Sequence, residues 1–596
     1  MALKESCWST WCFLWVTFFI ILTLVIRTLI KLCARTKNKS AIRLNLNFNR
    51  CISKDSGFSG DEDSGVMKYC GDEYRGKINK IDLVRRGSIT GRAQMKTKRM
   101  KDRGHSTSEK KILNGPLGLP IFGSLHLLGG SGGPFYAFTM LSRKYGEIYA
   151  IKLGSSKCIV VSSYRLVKEV LVTKGQHFGG RPNFLRFHEL FGGDRNNSLA
   201  LCDWSELQRT RRSLARSYCS PRNGSSQQCD LAKVASIEAN RLLKVLDAED
   251  SLPVRRGDAP LKPLILAAVA NMFTHYMCSS PFSYEDSEFR RTVRIFDEIF
   301  WEINQGYAID FLPWLSPLYA GHMRRLRTWA TEIRSFILKR IINGRRSSLD
   351  LVNGIPRDFT DALLLHLESP ETEVSWDHIM FELEDFLGGH SAIGNLVMLV
   401  LAHVAKCPEI QAGIHAECDA VKNRKKCQIA GLTDRPEMPY TEAVIWETLR
   451  VSSSPIVPHV ASKDTDVDGY PVEKGTVVFV NNYELNLGDS YWGIRARDFC
   501  PARFLTESKE VKGKFTISKP AHFMPFSTGK RTCIGQRLVQ GFTFATVAAI
   551  FSQYQVLAAD NGPDLTERLV PGCIAVPPDT FHLALVPRVE NDQVVI

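Results

Sequence analysis

Cys533 lies in the run Phe526-Ser527-Thr528-Gly529-Lys530-Arg531-Thr532-Cys533-Ile534-Gly535, just ahead of an apolar stretch from Gln536 to Gln553 that reads as a helix. A thiolate buried at this point would be a strong electron donor to a metal. The helix turns its positive N-terminal end back toward the sulfur. Backbone N–H groups at that end can hydrogen-bond the thiolate and keep it anionic. Gly529 and Gly535 let the backbone approach a flat cofactor where a Cβ would clash. Without these neighbours Cys533 would be one thiol among sixteen, and the cysteines form neither a CxxC pair nor a His/Cys zinc spacing.

Further charged and polar groups stand upstream. Glu447 and Arg450, in Glu447-Thr448-Leu449-Arg450, share one face of a helix and can pair. Arg503 sits in Phe499-Cys500-Pro501-Ala502-Arg503-Phe504. Trp204 opens the basic helical stretch WSELQRTRRSLARSY, and Val457-Pro458-His459 precedes a strand. A long helix is expected from about Trp376 to Cys407, ending before Pro408. Its middle reads Asp385-Phe386-Leu387-Gly388-Gly389-His390-Ser391-Ala392-Ile393-Gly394-Asn395.

The cysteine run fills every fixed position of F-x-x-G-x-R-x-C-x-G. With the E-x-x-R pair, and a P-E-R-F-like turn that carries Ala502 in second place, it resembles the cytochrome P450 family. The resemblance covers about residues 113 to 590. It implies a mainly α fold with a smaller β region and haem b as cofactor. Cys533 would be the axial ligand of the iron, its electron push favouring O–O cleavage. Phe526, Gly529, Arg531 and Gly535 would shape the loop around the cofactor. Glu447, Arg450 and Arg503 would form a buried ionic triad, tolerable only if paired and hydrogen-bonded, and therefore structural. Trp204, His459 and Arg531 would meet the haem propionates, anions that basic donors suit. The family's arginine four residues after the tryptophan is Gln208 here. Arg209 and Arg211 are the available substitutes, Arg211 two turns on from Trp204 and on its face; which of them reaches the propionate stays open.

In the same family the long helix crosses the distal face of the haem and carries A/G-G-x-D/E-T, whose acid and threonine relay protons to dioxygen. Here those two places hold Ala392 and Ile393, neither of which can move a proton. Either His390 or Ser391, with ordered water, supplies the protons, imidazole being suited by its near-neutral pKa, or the enzyme is an isomerase or dehydratase that does not use dioxygen in the usual way. His390 packing against a neighbouring helix is a further alternative. The segment GGHSAIGN resembles the Spook/Spookier-type (Halloween group) P450s of arthropod ecdysteroid biosynthesis. That resemblance implies an early oxidation of an apolar sterol on the path from 7-dehydrocholesterol. A non-enzymatic haem or sterol binder is the remaining class.

The chain has 596 residues and a formal net charge of +15. Cys7 to Ile26 is uncharged and long enough to span a bilayer. Trp8 and Trp11 stand where an interfacial belt would be, and basic residues follow at once, which puts the rest of the chain in the cytosol. From Lys31 to Lys111 there are 21 Lys+Arg and 9 Asp+Glu. This basic stretch lacks apolar periodicity and reads as a disordered tether. Its charge is expected to serve anionic headgroups rather than nucleic acid, with an insertion lacking any partner as the alternative. The organisation expected is a membrane anchor over 1–31, a tether over 32–112 and a haem domain over 113–596. The domain opens on a Pro/Gly-rich hinge at Asn114 to Gly123. Family resemblance adds an endoplasmic reticulum location, a cytosolic catalytic domain and electrons from NADPH through cytochrome P450 reductase.

Overall fold

Alternating Pro and Gly keep the segment after Leu113 out of helix, and the chain closes a tight turn in which Leu119 and Gly123 exchange backbone hydrogen bonds. The computed structural model describes residues 111–129, 133–349, 354–368, 373–509, 511–559, 572–577 and 582–588. The anchor over 1–31 and nearly all of the tether lie outside these residues. The turn leaves Leu117 and Ile121 exposed beside Trp314 and Leu318 of the short helix Pro313–Tyr319. Phe122 meets Trp314 edge to face at 6.3 Å. The result is an apolar rim at one edge of the molecule.

The architecture is mainly helical. The largest sheet has four strands, in the order Ile148–Leu153, Ser156–Val161, Val477–Val480, His459–Val460. The first pair is antiparallel, with Ile148 opposite Val161. The second is parallel, with Cys158 opposite Val477. The third is antiparallel, with His459 opposite Val478. This register brings His459, distant in sequence, to the sheet's edge.

The long distal helix is in fact two. Trp376–Leu387 starts with a capping box in which Ser375 and His378 satisfy each other's backbone. Gly388 closes it with its N–H on Glu384 O at 2.9 Å, and Gly389–Ala405 then begins. Gly388 keeps right-handed helical backbone (φ −60°, ψ −19°), so the two segments follow on from each other, the adjacent glycines, poor helix formers, only loosening the junction. The second helix is apolar on every side, as a helix in the centre of a large core must be. It packs against Lys262–Cys278, Ser287–Asn304, Pro439–Ser452 and Gln536–Gln553.

One polar network threads this core. Lys262 Nζ lies 2.6 Å from Asp297 Oδ2 and donates to Val576 O at 2.7 Å. Asn395 Nδ2 donates to Asp297 Oδ1 at 2.8 Å, and Val576 N–H donates to Asn395 Oδ1 at 2.9 Å. Each buried polar atom thereby meets a partner, and three helices are fixed to the segment 572–577.

Candidate functional site

The cysteine loop is built by its own backbone. Cys533 N–H donates to Phe526 O at 2.9 Å and Thr532 N–H to Gly529 O at 3.2 Å. Gly529 has φ +75, and a Cβ there would stand 1.9 Å from Leu171 O, so only glycine fits. Phe526 packs edge to face on Trp446, centroids 6.1 Å apart. The helix Gln536–Gln553 begins where expected, with Gly535 as its N-cap. A Cβ on Gly535 would meet no atom within 4 Å.

Cys533 keeps solvent-accessible surface, yet desolvation is the main influence on its thiol and raises its pKa; the Gly535 N–H and the Arg212 guanidinium pull the other way. The thiol is thus accessible yet closely surrounded by protein. Among the described residues no group of three His, Cys, Asp or Glu side chains could hold a metal.

Around the cysteine loop the structure gathers positive charge. Arg531 donates to Gly179 O at 2.8 Å and to Cys202 O, while its Nη1 is buried without a hydrogen-bond partner among the described residues. Arg531 also lies 5.7 Å from the Trp204 ring, with Lys530 at 5.2 Å. His459 holds Phe178 O through Nδ1 at 2.8 Å and leaves Nε2 buried without such a partner. Burial and the nearby Arg181 keep the His459 pKa well below its ordinary value. Arg212 donates to Thr532 O in the cysteine loop at 2.6 Å. Arg181 donates to Val457 O and Pro458 O at 3.0 and 3.1 Å. Burial first, then Arg531, presses its guanidinium down to about 9. Asp203 is the nearby carboxylate, and it already pairs with Arg195 at 2.8 Å. Buried like charges in this number are costly unless an anion joins them.

Arg209 and Arg211 do not join this cluster. Arg209 is exposed and pairs with Glu206 at 3.0 Å. Arg211 is buried in the opposite direction, on Glu382 at 3.1 Å and the Asn197 carbonyl at 2.8 Å. The reason is local. The helix starts at Glu206, capped by Ser205 in extended backbone, so Trp204 is outside it and face counting from Trp204 misleads. Arg181 and Arg212 stand in the cluster instead, and sequence reasoning missed both. The only signal for Arg212 was its position one residue beyond Arg211.

The ionic triad assembles. Arg450 spans Glu447 with two contacts of 2.7 Å and also donates to the Asn486 and Asp498 carbonyls. Arg503 Nε lies 3.6 Å from Glu447 Oε1, and Cys500 N–H donates to the same oxygen at 2.7 Å.

His390 and Ser391 turn inward. The His390 ring meets Phe296 edge to face at 5.3 Å and its Nδ1 contacts Leu387 O. Burial lowers its pKa. Ser391 Oγ is fully buried with no hydrogen-bond partner among the described residues. The partly open residues between Ile379 and Val404 are instead Asp385, Gly388, Gly389 and Ala392. Asp385 accepts from Leu199 N–H at 2.5 Å and Ser198 Oγ at 3.0 Å.

A family model described as Cytochrome P450 matches residues 113–584. The chain is 46% identical over 512 residues to Cytochrome P450 307a1 of Drosophila melanogaster, covering 83% of this chain and 92% of that protein. It is 28% identical over 461 residues to a steroid 17-alpha-hydroxylase/17,20 lyase of Ictalurus punctatus, covering 75% and 86%. A solved zebra fish cytochrome P450 with abiraterone superposes with TM-score 0.63 at 25% identity, covering 77% of this chain and all of that one.

Proposed function

The chain belongs to the cytochrome P450 family, and we propose that this monooxygenase oxidises an apolar sterol at an early step of ecdysteroid biosynthesis, starting from 7-dehydrocholesterol. Its GGHSAIGN segment and its 46% identity to Cytochrome P450 307a1 support the Spook/Spookier-type assignment.

The observation that carries the reading is the buried convergence of Arg181, Arg212, Arg531 and His459 beside Cys533. Haem b supplies two anionic propionates and a planar metal, which match the unbalanced charge, the partnerless Arg531 Nη1 and His459 Nε2, and the glycine-lined loop. Cys533 would be its thiolate ligand, the Gly535 N–H offsetting part of the desolvation that raises the free thiol. When bound, haem supplies the one-electron and dioxygen chemistry. Arg181, Arg212, Arg531 and His459 would hold the propionates, and Trp204 would brace Arg531. Glu447, Arg450 and Arg503 would keep the cofactor side of the fold closed.

Electrons would come from NADPH through cytochrome P450 reductase, docked on the proximal face. There an open groove of about 400 Å³ is lined by Lys168, Lys519, Phe526 and Gln536, near the exposed Lys530 and Arg537. The apolar rim around Leu117 and Trp314 suits immersion in the endoplasmic reticulum membrane beside the proposed anchor (1–31) and basic tether (32–112). A sterol would then enter from the bilayer.

A second reading is a haem-thiolate isomerase or dehydratase. It is favoured by Ala392 and Ile393 in the relay positions and by the inward turn of His390 and Ser391. One experiment separates the two. The full chain in membranes, with reductase, NADPH and labelled dioxygen, is offered 7-dehydrocholesterol, and products are weighed by mass spectrometry. Reductase-dependent product is expected, and label in it would fix an oxygen insertion. Unlabelled product formed without reductase would reverse the choice in favour of the second reading.

A further inference from the structure

Reduction of one oxygen atom of dioxygen to water takes two electrons and two protons, while the other atom enters the substrate. In this chain the helix positions that deliver those protons elsewhere in the family hold Ala392 and Ile393, and His390 and Ser391 face the protein interior. We infer that Asp385 holds the proton that the absent acid and alcohol would supply, and that Glu382 reloads it. This rests on the monooxygenase reading above.

The argument is first geometric. Glu382, Asp385, Gly389 and Ala392 follow one another at spacings of three and four, so they form one stripe along the paired helices. Asp385, Gly388, Gly389 and Ala392 are the partly open positions of that stretch. The part of this stripe from Asp385 to Ala392 is the side of the paired helices left partly open, and Asp385 is its titratable group. The loop Ser198–Cys202 links the two walls. Asp385 grips it at Ser198 and Leu199, and Arg531 of the cysteine loop grips it at Cys202 O. Asp385 and Arg531 of the cysteine loop are thus joined through one short loop.

The chemistry follows from the partners. Asp385 gives up one proton from a carboxyl oxygen and, reloaded from Glu382, a second; the two become the O–H bonds of the water formed, solvent protons restore both carboxyls between turnovers, and NADPH, through the reductase, supplies the electrons. The carboxylate left behind is stabilised by Leu199 N–H and Ser198 Oγ–H, so release is not opposed by a bare buried charge. Glu382, one turn back, is fully buried with Arg211 on Oε2 and no hydrogen-bond partner for Oε1 among the described residues. Burial raises Asp385 to about 6 and Glu382 to about 7. A proton therefore sits on each for part of the time near neutrality, as a general acid requires. The other charged or titratable groups near Asp385 are Arg211, which favours its anion, and Glu384 and the Cys202 thiol, which oppose it. Glu384 is turned to Arg334 at 3.2 Å.

The test compares Asp385→Asn, Asp385→Glu and Glu382→Gln in the full-length protein, reconstituted with reductase in membranes. Haem content and the carbon monoxide difference spectrum report folding. NADPH-driven reduction of dioxygen, divided between water and hydrogen peroxide, needs no correct sterol. Asp385→Asn should divert the flux to hydrogen peroxide and cut water formation about 10²-fold. Asp385→Glu should restore water formation. Glu382→Gln should shift the same partition less and move its pH profile. Hydroperoxide-driven turnover, which brings its own protons, should survive in Asp385→Asn. Infrared titration of the haem-free protein should show a carboxyl band lost in Asp385→Asn that titrates near neutrality in the parent. Equal loss of NADPH-driven and hydroperoxide-driven turnover would overturn the inference and leave Asp385 a loop anchor, as would an unchanged partition. Failure of 7-dehydrocholesterol to react while the partition shifts would count against the sterol reading alone. If Asp385→Asn does not take up haem, Glu382→Gln decides.

Discussion

Glu447 and Arg450 face each other through two contacts of 2.7 Å, and neither side chain has any exposed surface. Removing one member leaves the other as an uncompensated buried charge. Glu447→Ala should cost about 3–5 kcal/mol of stability. The measurement is the thermal unfolding midpoint together with haem content. Loss of haem uptake rather than a changed product is expected.

Arg209 and Arg212 stand three residues apart and differ in consequence. Arg209→Ala, on an exposed pair, should change stability by less than about 0.5 kcal/mol and leave haem retention intact. Arg212→Ala should weaken haem retention by about 1.5–3 kcal/mol, the range of a charge-assisted hydrogen bond. The rate of haem transfer to apomyoglobin measures both.

Gly529→Ala places a non-glycine residue at φ +75, with its Cβ against Leu171 O. The left-handed backbone alone costs roughly 1–2 kcal/mol, and the clash adds to it. The variant should unfold at lower temperature and give a reduced haem-thiolate band per unit of protein.

His403 stacks on Phe499 with ring planes 10° apart, and burial pushes its pKa down to about 3. The unfolded chain takes up a proton near the ordinary histidine value of about 6.5, while the folded chain does not. Between these values the unfolded state holds more protons, so stability falls as pH falls. His403→Phe should flatten the slope of stability against pH by up to about 1.4 kcal/mol per pH unit below about pH 6. Denaturant unfolding at a series of pH values reads it.

Contiguous features were legible before the fold was known. Cys533 and Gly535 lie in one loop and the Glu447/Arg450 pair on one helix, so short spacings describe them; Gly529 lies in that loop too, but what excludes a side chain there is Leu171 O. Features that depend on which way a helix faces were not. Arg211 and His390 have suitable chemistry, but the packing of Glu382 and Phe296 against them decides their direction. Arg181 meets the Val457 and Pro458 carbonyls where the bridge between Gly180 and Val460 joins two segments far apart in the chain. No spacing within the chain announces such an encounter.

The network of Lys262, Asp297 and Asn395 limits how this chain can diverge. Replacing Lys262 by an apolar residue leaves Asp297 a buried anion, and replacing Asp297 strands the lysine. Either step alone crosses a steep loss of stability, whereas exchange of the whole set for apolar side chains can be close to neutral. The three positions should therefore vary as a block among descendants, a signature of epistasis, while the neighbouring apolar positions drift one at a time.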